Sequence, residues 1–252
     1  HVCTGIFLFF STTSMLESEA IRKGHDPIEL SEMFTVRHAY SDKADNYVRI
    51  HGNMNFAQGG ACHDVTDQVR QHGIVTEAAY NGLNLGIDTH NHSEIVSVLK
   101  GIVDGVVKSR HPSIRWKEAY NASADAYFGA PVESFEYEGK EYTPTEFRDH
   151  LGINPDDYIE ITSLAHKPLY EQVLVCLPDN WTFNDDYYNV TPQELGEIAE
   201  HAIKEGYTVV FGGDVSNMRP VGIVPKDDDV DINKVEEPVE EKNVEVEPEE
   251  EL

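Results

Sequence analysis

Apolar residues recur at helical spacing in several stretches of the chain. The clearest runs over Glu94–Lys108, where Ile95, Val98, Leu99, Ile102, Val103 and Val106 fall at three- and four-residue steps. Its polar face mixes both charge signs, so the stripe reads as core or subunit contact rather than a membrane-surface helix. Residues 7–23 predict a helix stopped by Gly24, and Ala61–His72 a second one stopped by Gly73. Trp116, Ala119, Tyr120, Ser123 and Tyr127 predict another, after the break at Pro112. Thr143-Pro144-Thr145-Glu146 and Thr191-Pro192-Gln193-Glu194 are twin helix starts. In each, Thr accepts from free amides, Pro fits the first turn and Glu reaches back. Phe135–Tyr142 reads as a hairpin about Glu138-Gly139, and Val173–Leu177 and Tyr207–Gly212 as strands, the latter buried. Leu30–Arg49 alternates polar and apolar residues without a clear period, and Asn81–His92 is a Gly- and Asn-rich loop.

The composition leaves room for one large domain or two small ones in 252 residues. No run of about 18 apolar residues exists, so no membrane-spanning helix is expected. The net charge of −27 is uneven: residues 226–252 hold 13 acids and 3 lysines. That segment lacks a core pattern and reads as an acidic tail or disordered loop. Such a balance repels phosphate backbones and argues against nucleic-acid partners. Cys3, Cys62 and Cys176 are odd in number and widely spaced, against a disulfide framework or a thiolate zinc site. Cys62 and Cys176 read as packed thiols in a helix and a strand.

Metal chemistry finds little support. His90-Asn91-His92 and Cys62-His63-Asp64 offer ligand types but no paired motif at zinc spacing, and His90 and His92 read as surface residues of a polar loop. Asp227-Asp228-Asp229-Val230-Asp231 begins like a calcium loop but has Ile232 at the sixth position and Pro238 at the twelfth. No metal and no cofactor is expected.

An ordered set of motifs carries more information. TGIFLFFSTTSMLESE (Thr4–Glu19) is followed by ELSEMF (Glu29–Phe34), Gln58-Gly59-Gly60 and GIVTEAAY (Gly73–Tyr80). In this order they resemble the nucleophile helix, the "LSEQ" segment, the "NGG" groove turn and the next segment of papain-like cysteine peptidases. EGKEYTPTEF (Glu138–Phe147), GINPDDY (Gly152–Tyr158), VCLPDNW (Val175–Trp181) and FGGDVS (Phe211–Ser216) are similar to the bleomycin hydrolase/aminopeptidase C branch. The resemblance implies an α+β, papain-like fold. Residues 1–225 would form a partial peptidase domain with a helical left lobe, a long insertion over 81–190 and an incomplete β-rich right lobe. It implies peptide substrates and a homo-oligomer, in a family with cytoplasmic and exported members, the cytoplasm being favoured. Its mechanism uses a thiolate at a helix start, a His partner, an orienting Asn and an oxyanion Gln.

The chain departs from that pattern where the chemistry resides. Phe7 stands at the nucleophile position, Leu8 at the usual Trp, and His1 at the oxyanion Gln. Phe has no lone pair with which to attack a carbonyl. Cys3 lies four residues before Phe7, outside the helix start, and reads as an ordinary thiol. The His and Asn members do not follow FGGDVS, as they would in the family. No intact catalytic set is therefore expected. Gly59 and Gly60 remain the candidate substrate-binding residues, because a side chain there would block a peptide's approach to the backbone. A catalytically dead relative that binds peptides or assists assembly, or a truncated gene product, fits the same residues. An incomplete sheet would leave an exposed edge and favour poor solubility or dimerisation.

Overall fold

The computed structural model describes residues 7–84 and 92–212 of the chain, which lie in one compact unit. The expectations for His1, Cys3, His90, Asn91, Gly213–Ser216 and the acidic segment 226–252 lie outside the described residues.

The first helix, α1 (Phe7–Arg22), runs as the pattern predicts, and Gly24 follows it at a φ of +100°, where a side chain would be strained. The segment that reads as mixed in sequence is α2 (Glu32–Arg49), capped by Ser31, whose hydroxyl accepts from the amide of Phe34. Its buried side includes Met33, Phe34, Val36, Tyr40, Ala44 and Tyr47, but also Arg37 and Lys43. Those two cations interrupt the apolar period and hid the helix. Arg37 is paired with Asp125 at 2.6 Å and Lys43 donates to two backbone carbonyls, so neither charge is buried alone.

The helix α3 (Cys62–His72) packs on both α1 and α2. The imidazoles of His38 on α2 and His72 on α3 stack at 3.9 Å with their planes 12° apart. The pair α4 (His92–Lys108) and α5 (Arg115–Phe128) covers the other side of α2. On α5 the buried face is Tyr120, Ala124 and Phe128. His92, expected on the surface, is 1% exposed and lies 5.7 Å from the Phe128 ring, because the helix begins one turn earlier than its apolar stripe.

The hairpin β1 (Phe135–Tyr137) and β2 (Lys140–Tyr142) turns at Glu138-Gly139, both at positive φ, as a tight two-residue turn requires. It folds onto α6 (Pro144–His150), where Phe147 is fully buried with Phe135 and Tyr137 at 5.0 Å, edge-on. The capping boxes predicted at Thr143 and Thr191 are both formed.

A three-stranded sheet follows, in the order β3 (Ile161–Thr162), β5 (Tyr187–Asn189), β4 (Gln172–Val173), with β3 parallel and β4 antiparallel to β5. Of the expected strand Val173–Leu177 only Val173 pairs, together with Gln172 before it, and Cys176 is exposed rather than packed. Asn189, fully buried, links the loops around the sheet through Leu164, Lys167 and Pro168. The last helix, α7 (Pro192–Lys204), buries no residue. Residues 207–212 form no strand and are mostly exposed, Phe211 at 68%, contrary to the buried strand expected. Their apolar composition had suggested burial, but no described strand pairs with them.

Candidate functional site

The amino end of α1 is the first point of interest. A helix start carries unpaired amides and a partial positive charge suited to an anion. Phe7 opens α1 and is 68% exposed, so the position matched to the nucleophile presents a phenyl ring. Residues 207–212 run back along this helix. The Arg22 guanidinium sits 4.5 Å above the Tyr207 ring at one end, and a Cβ at Gly212 would lie 3.7 Å from Leu8 at the other.

Gly59 and Gly60 lead into α3 beside the same helix. Lys43, buried, donates to the carbonyls of Ala57 at 2.9 Å and Gly59 at 2.6 Å and fixes this turn. Burial pulls the Lys43 ammonium down to about 8, against the attraction of Asp64 and Asp179. A Cβ on Gly60 would fall 2.7 Å from Asp64 Oδ2 and 2.8 Å from the buried Phe9 ring of α1. One on Gly59 would meet the Asp179 carboxylate at 2.2 Å. The two glycines thus allow the α3 entry to approach α1 and the loop around Asp179.

A polar network surrounds His63, the second residue of α3. Its Nδ1 lies 2.8 Å from Glu160 Oε2 and its Nε2 2.8 Å from Thr182 Oγ1, while the Tyr187 hydroxyl is 3.3 Å from Nδ1. Glu160 Oε1 also accepts from the His63 amide at 3.1 Å. The imidazole is only 6% exposed. Burial disfavours its charge, but the Glu160 carboxylate, then Asp64 and Asp67, outweigh this and raise its pKa above the ordinary 6.5. Asp64, on the next residue, accepts from the Ala61 amide at 2.6 Å and from Trp181 Nε1 at 2.8 Å. Its burial raises the carboxyl to about 6 despite nearby His63 and Lys43.

Chemically, the arrangement holds and orients; among the described residues the helix start presents Phe7, which is no nucleophile. Both nitrogens of His63 have partners, and burial pushes the Cys62 thiol up, away from the reactive thiolate. The sequence reading weighed Cys62-His63-Asp64 as ligand types and set them aside for want of zinc spacing. Among the described residues no group of three or more His, Cys, Asp or Glu could hold a metal ion. It missed Glu160 and Thr182, which stand 97 and 119 residues further along and carry no local signal. No helix among the described residues is long and apolar enough to cross a membrane.

No family model matches the sequence, and no curated protein matches it. Among solved structures, the chain is similar to PepW from Lactobacillus rhamnosis HN001 (DR20), crystallised as the selenomethionine derivative, with a TM-score of 0.62 and 16% sequence identity. The likeness covers 82% of this chain and 56% of that chain, so the chain spans little more than half the length of PepW. The chain therefore has a mixed α+β fold similar to that of PepW over most of its length.

Proposed function

We propose that the chain is a papain-like cysteine peptidase scaffold of the bleomycin hydrolase/aminopeptidase C type that does not itself hydrolyse peptides. In this reading residues 1–225 form the partial peptidase domain, 81–190 its insertion and 226–252 an acidic tail. Gly59 and Gly60 present backbone to a peptide, and His1 takes the oxyanion position. The observation that carries the proposal is Phe7, at the start of α1 and open to solvent where a thiolate would stand. The fold shared with PepW supports the scaffold. The packing of Gly60 on Phe9 sets this turn directly beside α1, as the matched order of motifs requires.

The purified chain is expected to release no coumarin from aminoacyl-coumarin substrates. Phe7→Cys is expected to create a thiol that an epoxide inhibitor labels several-fold faster than the exposed Cys176, because a helix start lowers a thiol pKa. Hydrolysis by the unaltered chain that a thiol alkylator abolishes would overturn the inactive reading. Equal labelling of the two thiols would remove Phe7 from the nucleophile position.

A second reading, an assembly role, is favoured by the apolar side chains that α7 leaves in solvent. Ile198 and Ile203 are both exposed.

A further inference from the structure

The turn after Tyr80 is held from both sides. The Ser31 hydroxyl, at the start of α2, donates to the Tyr80 carbonyl, and the Tyr80 hydroxyl donates to the Gly129 carbonyl at 2.8 Å. Further on, Asn84 Nδ2 donates to the carbonyls of Asp125 and Ala126 on α5, at 3.2 and 3.1 Å. Between these anchors stand Asn81 and Gly82, the one Asn-Gly pair in the chain. Gly82 has a φ of +66°, and a Cβ there would fall 2.5 Å from the Met33 Cβ. The main chain thus closes against α2 where it turns.

Asn81 itself is exposed. Its Oδ1 accepts from the Leu83 amide at 3.0 Å, and its Nδ2 has no hydrogen-bond partner among the described residues. The Gly82 amide likewise donates to no described residue. Both residues border an open cleft of about 400 Å³ with Tyr80, Phe128 and Gly129, which admits water to the side chain. An unpaired amide nitrogen on a residue without a side chain is free to attack the carboxamide carbon before it. The bond at Oδ1 holds that carboxamide in place, and the Leu83 N–H stabilises the negative charge that collects on the oxygen during attack.

We propose that Asn81 is a site of spontaneous deamidation that loosens this turn from α5. Base removes the Gly82 N–H proton, the nitrogen bonds to Asn81 Cγ, and the Cγ–Nδ2 bond breaks, ammonia leaving with a proton from water. Water then opens the cyclic imide at either carbonyl, giving aspartate or isoaspartate. Isoaspartate routes the main chain through Cβ and Cγ and lengthens it by one methylene. Between the anchors at Tyr80 and Asn84, with Met33 against Gly82, that length is not taken up without breaking contacts. The same ring closure is blocked at Asp104-Gly105, because the Gly105 amide belongs to the ladder of α4. The inference does not depend on the reading of Phe7.

The test is to age the full chain in mildly alkaline buffer at body temperature, digest it in mild acid and map the peptides by mass. An isoaspartate methyltransferase, used as a reagent, counts the isoaspartate. Deamidation at Asn81 is expected several-fold ahead of every other asparagine, with isoaspartate formed there and none at Asp104. It should slow several-fold in mildly acidic buffer, where less of the amide is ionised. The aged parent should unfold at a lower urea concentration than the fresh chain. Aged Asn81→Gln, whose longer side chain closes a ring poorly, should keep its midpoint. The proposal fails if Asn81 stays intact, if another asparagine reacts first, or if aspartate forms without isoaspartate. It also fails if ageing moves the parent's midpoint no further than the variant's.

Discussion

Glu32 and Glu77 show how single residues set the chain's response to pH. They lie beside the bridge between Leu30 and Thr76, near Glu17 and Glu29. Burial, reinforced by neighbouring carboxylates, raises both from 4.5 to about 7. A raised carboxyl favours the protonated form in the fold. Its contribution is complete below about pH 4.5 and is lost as pH rises through about 7. His38 has the opposite sense, because burial and then His72 lower it to about 3. It penalises the fold as pH falls below 6.5 toward that value. Glu32→Gln is therefore expected to be more stable than the parent at about pH 8, by on the order of 1 kcal/mol after allowing for partial exposure. The two should converge near pH 4.5; urea melts at both values would show it, and a difference independent of pH would contradict the assignment. None of this was legible in the sequence, where these acids look like any surface glutamate. The same holds for His63, whose partners come from far along the chain.

Local rules decide the helices with strong punctuation and fail where burial is long-range. The boxes at Thr143 and Thr191, the stop at Gly24 and the Glu138-Gly139 turn were all readable, because each depends on residues within four positions. The helix α2 was not, since Arg37 and Lys43 sit on its buried side and take partners from α5 and the Gly59 turn. Strands of two or three residues without a turn signal between them give no period to read, so β3 and β5 were not foreseen, and β4 was met only at Val173. The two boxes should also differ in weight. Thr143→Ala is expected to cost about 1 kcal/mol in urea unfolding, because α6 carries the buried Phe147. Thr191→Ala should fray α7 with little change in the global midpoint, as that helix buries nothing. Equal losses in the two variants would show that α7 contributes to the cooperative unit.

At the scale of the molecule, apolar exposure and charge oppose each other. Phe7, Ile203 and Phe211 are each more than 60% exposed, and Ile198 is also open, on a chain of net charge −27. The charge keeps copies apart at low salt, while the apolar positions favour association once the repulsion is screened. Sedimentation should therefore show a monomer at low salt and self-association near 0.5 M, where the Debye length falls to about 4 Å. A variant carrying Ile198→Glu and Ile203→Glu should stay monomeric, and a parent chain monomeric at every salt concentration would refute the idea. The helical half was largely legible because its contacts follow the apolar period. The exposure of residues 207–212 was not, because an apolar run looks the same whether or not a partner strand exists. The tie between His63 and its partners has a further consequence for synthesis. Glu160 emerges 97 residues after His63, and Thr182 119 residues after it. At about 5–20 residues per second, the nascent α3 waits on the order of ten seconds before its imidazole has a carboxylate to face. During that interval the first three helices exist without the loop that completes their polar seam, and the ribosome-bound chain is a different surface from the finished one.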